Sequence, residues 1–178
     1  MVVLQGKEIM KLKAFIFSLI AIVAINQSIA QKTVVDVAVG SPAHTTLVAA
    51  VKAGGLVETL QGAGPFTVFA PTNDAFSKLP AGTVESLLKP EAKSTLVKIL
   101  TYHVVAGNFE AGAVVKAIEA GNGSAKLKTV SGGTLTASLK DGKIILTDEN
   151  GKTSTVVAAD LKSGNGVVHV IDAVVLPK

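Results

Sequence analysis

The chain of 178 residues contains no cysteine and no tryptophan, and its aromatic complement is six phenylalanines and one tyrosine. The missing thiols exclude disulfides, thiolate zinc sites, cysteine nucleophiles and attachment through a lipid-modified N-terminal cysteine. The fold must be held by its core alone, which a chain of this length can build. The scarcity of aromatics argues against base stacking and against a sugar platform. Net charge is +4 and the pI about 9.3, yet the lysines are scattered. Without a basic stripe, no nucleic-acid partner is expected. The three histidines show no HxH or HExxH spacing, and no G-x-S-x-G elbow occurs. Neither a metal, a cofactor nor a catalytic set is therefore expected.

What is present begins with a leader. Lys11 and Lys13 precede an apolar run from Ala14 to Ile25 broken only by Ser18, and Ser28 and Ala30 form a small-x-small exit. This pattern predicts a secretory signal peptide over residues 1–30, cleaved before Gln31, with Met10 a candidate start. The run of twelve residues is short against the roughly twenty needed to span a bilayer. An uncleaved anchor is the alternative; otherwise no stable membrane span remains after cleavage. Removing residues 1–30 takes away three lysines and Glu8, leaving 14 lysines against 12 carboxylates, or +2.

Residues 31–178 read as one domain. Helical turns are predicted over 33–60, with Gly54-Gly55 as a stop. The stretch GPFTVFAPTNDAF, Gly64 to Phe76, reads as a buried strand that stops at Pro71 and turns into a helix. Thr72 is its N-cap, with Asn73 and Asp74 as further polar groups of the corner. Pro90 is placed at the first position of a helix running to about Tyr102, and His103–Val105 reads as a strand. Glu110–Ala120 reads as another helix. Alternation around Leu135–Leu139, with turns at Asp141-Gly142 and Asp148–Gly151, predicts a β-meander over 125–158. A loop follows at Ser163–Gly166, and the apolar Val167–Leu176 reads as a central strand. The order predicts an α+β class.

Each candidate for chemistry has a structural counterpart. Thr72 stands where an elbow nucleophile would, but capping accounts for it. His44 is expected in an exposed loop. His103 and His169 are expected to bond backbone groups. Asp74, Asp160 and Asp172 are the carboxylates expected to be partly buried. Gly151-Lys152-Thr153 and Asp148-x-Asn150-Gly151 are partial matches to phosphate and calcium loops, better read as a hairpin turn. Asn122-Gly123-Ser124 is formally a glycosylation sequon.

Gly64–Phe76 resembles the first signature box of fasciclin-type domains. Asn165–Pro177, NGVVHVIDAVVLP, resembles the second. Tyr102-His103 between them matches the family's tyrosine–histidine pair. The resemblance covers residues 33–177. It implies a wedge-shaped β-sandwich of about seven strands flanked by several helices, with the two boxes as adjacent core strands. It also implies an extracellular adhesion module without catalysis. In animal members the tyrosine–histidine region and nearby Asp-Ile or similar pairs are linked to integrin binding, which makes Tyr102, His103 and Asp172 the candidate motif. The leader suggests a secreted bacterial version, extracellular or periplasmic, recognising a protein or cell-surface polymer. The alternative is a cell-envelope protein that binds a carbohydrate or small ligand.

Overall fold

A computed structural model describes residues 32–178; the predicted leader lies outside the described residues. Within them are seven helices, α1 (Val34–Val39), α2 (Thr45–Gly54), α3 (Val57–Gln61), α4 (Asn73–Ser77), α5 (Thr83–Leu87), α6 (Lys93–Tyr102) and α7 (Ala111–Ala120). There are seven strands, β1 (Phe66–Pro71), β2 (Val104–Ala106), β3 (Ser124–Lys128), β4 (Thr134–Lys140), β5 (Lys143–Thr147), β6 (Thr153–Ser163) and β7 (Gly166–Ile171). This is the α+β architecture expected.

The strands form one sheet in the order β2-β1-β7-β6-β5-β4-β3. A bridge between Val105 and Thr129 links its two ends, so the sheet is nearly closed. Strands β1 and β7, the two signature boxes, are parallel neighbours, with Phe66 opposite Gly166 and Phe69 opposite His169. Every other pairing is antiparallel.

Both box strands are covered on both faces, which explains their nearly continuous apolar runs. Side chains alternate across a strand. Phe69 and Ile171 point into an interior core with Leu135, Leu146 and, from α7, Ile118. Val68, Ala70 and Val168 point the other way, against Val34, Leu47, Leu60 and Leu100 of the helices. The short α1 has its own start signal. The Thr33 hydroxyl accepts the Asp36 N–H at 3.3 Å, and the Asp36 carboxylate accepts the Thr33 N–H at 2.8 Å, a capping box.

Several boundaries differ from the expected ones. Pro90 opens a 3₁₀ turn, Pro90–Ala92, ahead of α6. His103 is the C-cap of α6, and the strand starts one residue later. Strand β6 runs through to Ser163, with register shifts between Val156 and Leu161. Strand β7 stops at Ile171 although Val174 and Val175 are buried. Beyond it the Asp172 N–H still bonds the Thr155 carbonyl of β6 at 3.1 Å, but the next donors are taken by side chains. Ala173 N–H goes to Ser154 Oγ, Val175 N–H to His103 Nε2 and Leu176 N–H to Asp148 Oδ2.

Candidate functional site

The corner after β1 is built from three side chains in sequence. Thr72 Oγ1 accepts the Ala75 N–H at 3.2 Å and starts α4. Asn73 reaches outward to a second helix. Its Oδ1 accepts the Thr46 N–H at 3.0 Å and the Thr45 hydroxyl at 3.1 Å, and its Nδ2 donates to the Pro42 carbonyl at 3.0 Å. Helix α2 has no side-chain cap of its own, so Asn73 supplies from a distance what an N-cap supplies locally. Asp74 is exposed, contrary to the burial expected of it: as the second residue of α4 it faces away from the core.

The same docking buries His44, which was expected in an exposed loop. It sits in the 3₁₀ turn Pro42–His44 ahead of α2 and is only 4% exposed. Its Nδ1 lies 2.9 Å from Ser41 Oγ, while Nε2 is buried without a partner. Burial holds its pKa below the usual histidine value, against the opposing influence of the Ala70 carbonyl.

The tyrosine–histidine pair lies at the end of α6, with both side chains buried. Tyr102 Oη donates to the Thr134 carbonyl at 2.8 Å and accepts the Glu149 N–H at 3.2 Å. One hydroxyl thus ties α6 to the start of β4 and to the β5–β6 turn. Burial pushes the pKa of this hydroxyl up to about 12, opposed by the Glu149 N–H that it accepts and reinforced by the Glu149 and Asp148 carboxylates. His103 Nδ1–H donates to the Ile99 carbonyl at 2.8 Å, and Nε2 accepts the Val175 N–H at 3.3 Å. Burial depresses its pKa to about 4, opposed by the Ile99 carbonyl. Tyr102→Phe is expected to cost about 1–2 kcal/mol, because it strands two backbone groups while keeping the ring. Urea unfolding checks this, and a change below a few tenths of a kcal/mol would show that the hydroxyl bonds contribute nothing net.

His169 lies inside the sheet. Its ring stacks on Phe69 with centroids 5.6 Å apart. Nδ1 accepts the Asp160 N–H at 3.3 Å, and Nε2–H donates to the Phe109 carbonyl at 2.7 Å. Asp160, in left-handed backbone at φ +58°, turns its carboxylate to the Ala111 N–H at 2.7 Å and caps α7. Asp172 accepts the Thr155 N–H at 2.7 Å, and its other oxygen lies 3.9 Å from Lys78 Nζ. The histidines and carboxylates are thus dispersed, and His103, His169, Asp160 and Asp172 are each occupied with backbone. Among the described residues no three His, Asp or Glu side chains converge as metal ligands.

Two residues with large structural roles escape a sequence reading. Asp148 is buried and accepts three backbone N–H groups, from Asn150, Lys152 and Leu176. The Asp-Glu-Asn-Gly turn signal marked the place but not the burial. Asn165 accepts the Val34 N–H at 2.9 Å and donates to the Leu60 and Gly62 carbonyls at 2.8 and 2.9 Å. Its place in a loop at the start of the second box gives no sign of these partners.

This arrangement has close counterparts. The fasciclin domain family model matches residues 42–177. Protein sll1483 of Synechocystis is 54% identical over 145 residues, covering 82% of this chain and 73% of the relative. Immunogenic protein MPB70 of Mycobacterium bovis is 36% identical over 156 residues, covering 85% of this chain and 72% of that one. Among solved structures, a fasciclin domain pair from the insect cell adhesion molecule fasciclin I superposes with a TM-score of 0.71 at 22% identity. It covers 82% of this chain, which in turn spans 51% of that one. With both boxes paired as parallel strands and the tyrosine–histidine junction between them, this chain belongs to the fasciclin domain family.

Proposed function

We propose that this chain is an exported fasciclin-domain protein, mature from residue 31, that acts by binding an extracellular protein or cell-surface polymer without catalytic turnover. The observation that carries this reading is where apolar side chains meet solvent. The register shifts in β6 leave Val157, Ala158 and Ala159 exposed in succession, with Val157 57% exposed. An outward apolar bulge beside a sheet is the kind of feature a partner covers. The adhesion named for the fasciclin I neighbour supports the same direction. Of the candidate motif, Tyr102 and His103 hold the framework from within. Asp172, with 38% of its side chain exposed, is the member able to reach a partner.

The test is retention of the protein on envelope or matrix fractions of its source. Val157→Asp is expected to weaken retention about tenfold, the scale of an interface anchor, while stability changes by less than about 0.5 kcal/mol. Unchanged retention would remove the bulge from the binding surface. Absence of any saturable retention would sink the adhesion reading.

A further inference from the structure

The helical side of the molecule holds an apolar cavity of about 190 Å³ that is partly open to solvent. Its walls come from Val35 of α1, Val48 and Val51 of α2 and Val57 of α3, and its floor from Val68 of β1 and Leu100 of α6. His103 is the one polar side chain at depth, and both its ring nitrogens are already bonded to backbone. Its depth therefore offers water no free polar partner, which favours an apolar guest there. A cavity of about 150 Å³ is enough for benzene, so this one has space for a short aliphatic chain.

The rim differs from the interior. Asp36, Lys52 and Gln61 stand there, all exposed. The Asp36 carboxylate is turned back onto Thr33, accepting both its N–H and its hydroxyl at 2.8 Å. Lys52 is in neither of the two ion pairs among the described residues. The rim thus presents one unpaired cation beside a carboxylate already committed to its own helix.

We propose that this cavity is a binding site for a medium-chain carboxylate, its aliphatic tail between α1, α2 and β1 and its headgroup at the Lys52 ammonium. The site is separate from the β6 bulge, so its failure leaves the surface-binding reading intact. Interiors of folded domains are ordinarily close-packed; an apolar space this size beneath the six-residue α1 is the departure that the guest accounts for.

Calorimetric titration of the full chain with octanoate, octan-1-ol and octyltrimethylammonium tests it. Octanoate is expected to bind at one site per chain and more tightly than the other two. Lys52→Gln, on an exposed side chain, should lower octanoate affinity about fivefold, toward that of octanol, and leave octanol unchanged. Val48→Phe, which fills the cavity, should abolish both. The proposal is overturned if octanoate shows no saturable binding, if the cationic amphiphile binds more tightly, or if Lys52→Gln binds octanoate as the parent chain does.

Discussion

Gly166→Ala is expected to destabilise the domain by more than about 4 kcal/mol, at the extreme of single-substitution effects. A Cβ built on Gly166 would stand 1.9 Å from the Phe66 carbonyl oxygen, on the neighbouring parallel strand. Gly64 is in the reciprocal position, where a Cβ would lie 2.0 Å from the Asn165 carbonyl oxygen. The obstacle in each case is backbone, which has no rotamer to yield. The two boxes approach so closely because each has a residue without a side chain at its point of approach, Gly64 in the first and Gly166 in the second. Relief requires β1 and β7 to separate at the end where Phe66 N–H bonds the Asn165 carbonyl at 3.0 Å. Against a total stability of about 5–15 kcal/mol, that is roughly a quarter or more of the whole. Urea denaturation gives the answer. A loss below about 1 kcal/mol would mean that the sheet end yields freely and that the glycine is not required by contact.

His103→Ala comes next, at about 3–4 kcal/mol. The substitution opens a void and leaves the Ile99 carbonyl and Val175 N–H unpaired in the core, costs that add for a buried polar side chain. It should leave retention on surface fractions nearly unchanged, since the ring reaches no solvent; lost retention with an unchanged melting temperature would reverse that view. The same residue makes stability depend on pH. Its folded pKa of about 4 lies below the unfolded 6.5. Between these values the unfolded chain binds a proton that the native one refuses. Stability is therefore full above pH 6.5 and falls as pH drops toward 4. From pH 7.5 to 5 the loss is about 2 kcal/mol, before most carboxylates titrate. His44, also depressed, acts in the same direction. A flat profile in the parent, or an equal slope in His103→Ala, would rule out this assignment.

The parts of the fold legible in the sequence are those in which local pattern and burial agree. The alternation in β4 and β5, with turns of glycine and asparagine or aspartate, fixes their faces without reference to the rest of the chain. The boxes are legible because strands covered on both sides must be apolar throughout. What escaped depends on distant partners. Val174 and Val175 look like strand residues, but the N–H groups of Ala173, Val175 and Leu176 go to the side chains of Ser154, His103 and Asp148. His44 looks exposed until Asn73 draws α2 onto the corner. Asn165 carries no local sign that it reaches Val34, Leu60 and Gly62. The exposed bulge in β6 is hidden for another reason: its residues are apolar, and hydrophobicity alone cannot tell an outward Val157 from an inward Val156.

The parallel pairing of β1 with β7 also has a kinetic side. Phe66 meets Gly166 and Pro71 meets Ile171, so the centre of the sheet cannot close until almost the whole chain is available. Contacts this far apart in sequence slow folding, because loop-closure entropy is lost before the pairing is gained. Until β7 is present β1 lacks its central neighbour, and the sheet completes only when the last strand arrives. A chain cut before β7 would leave both β1 and β6 with open edges, the condition under which strands pair with other molecules.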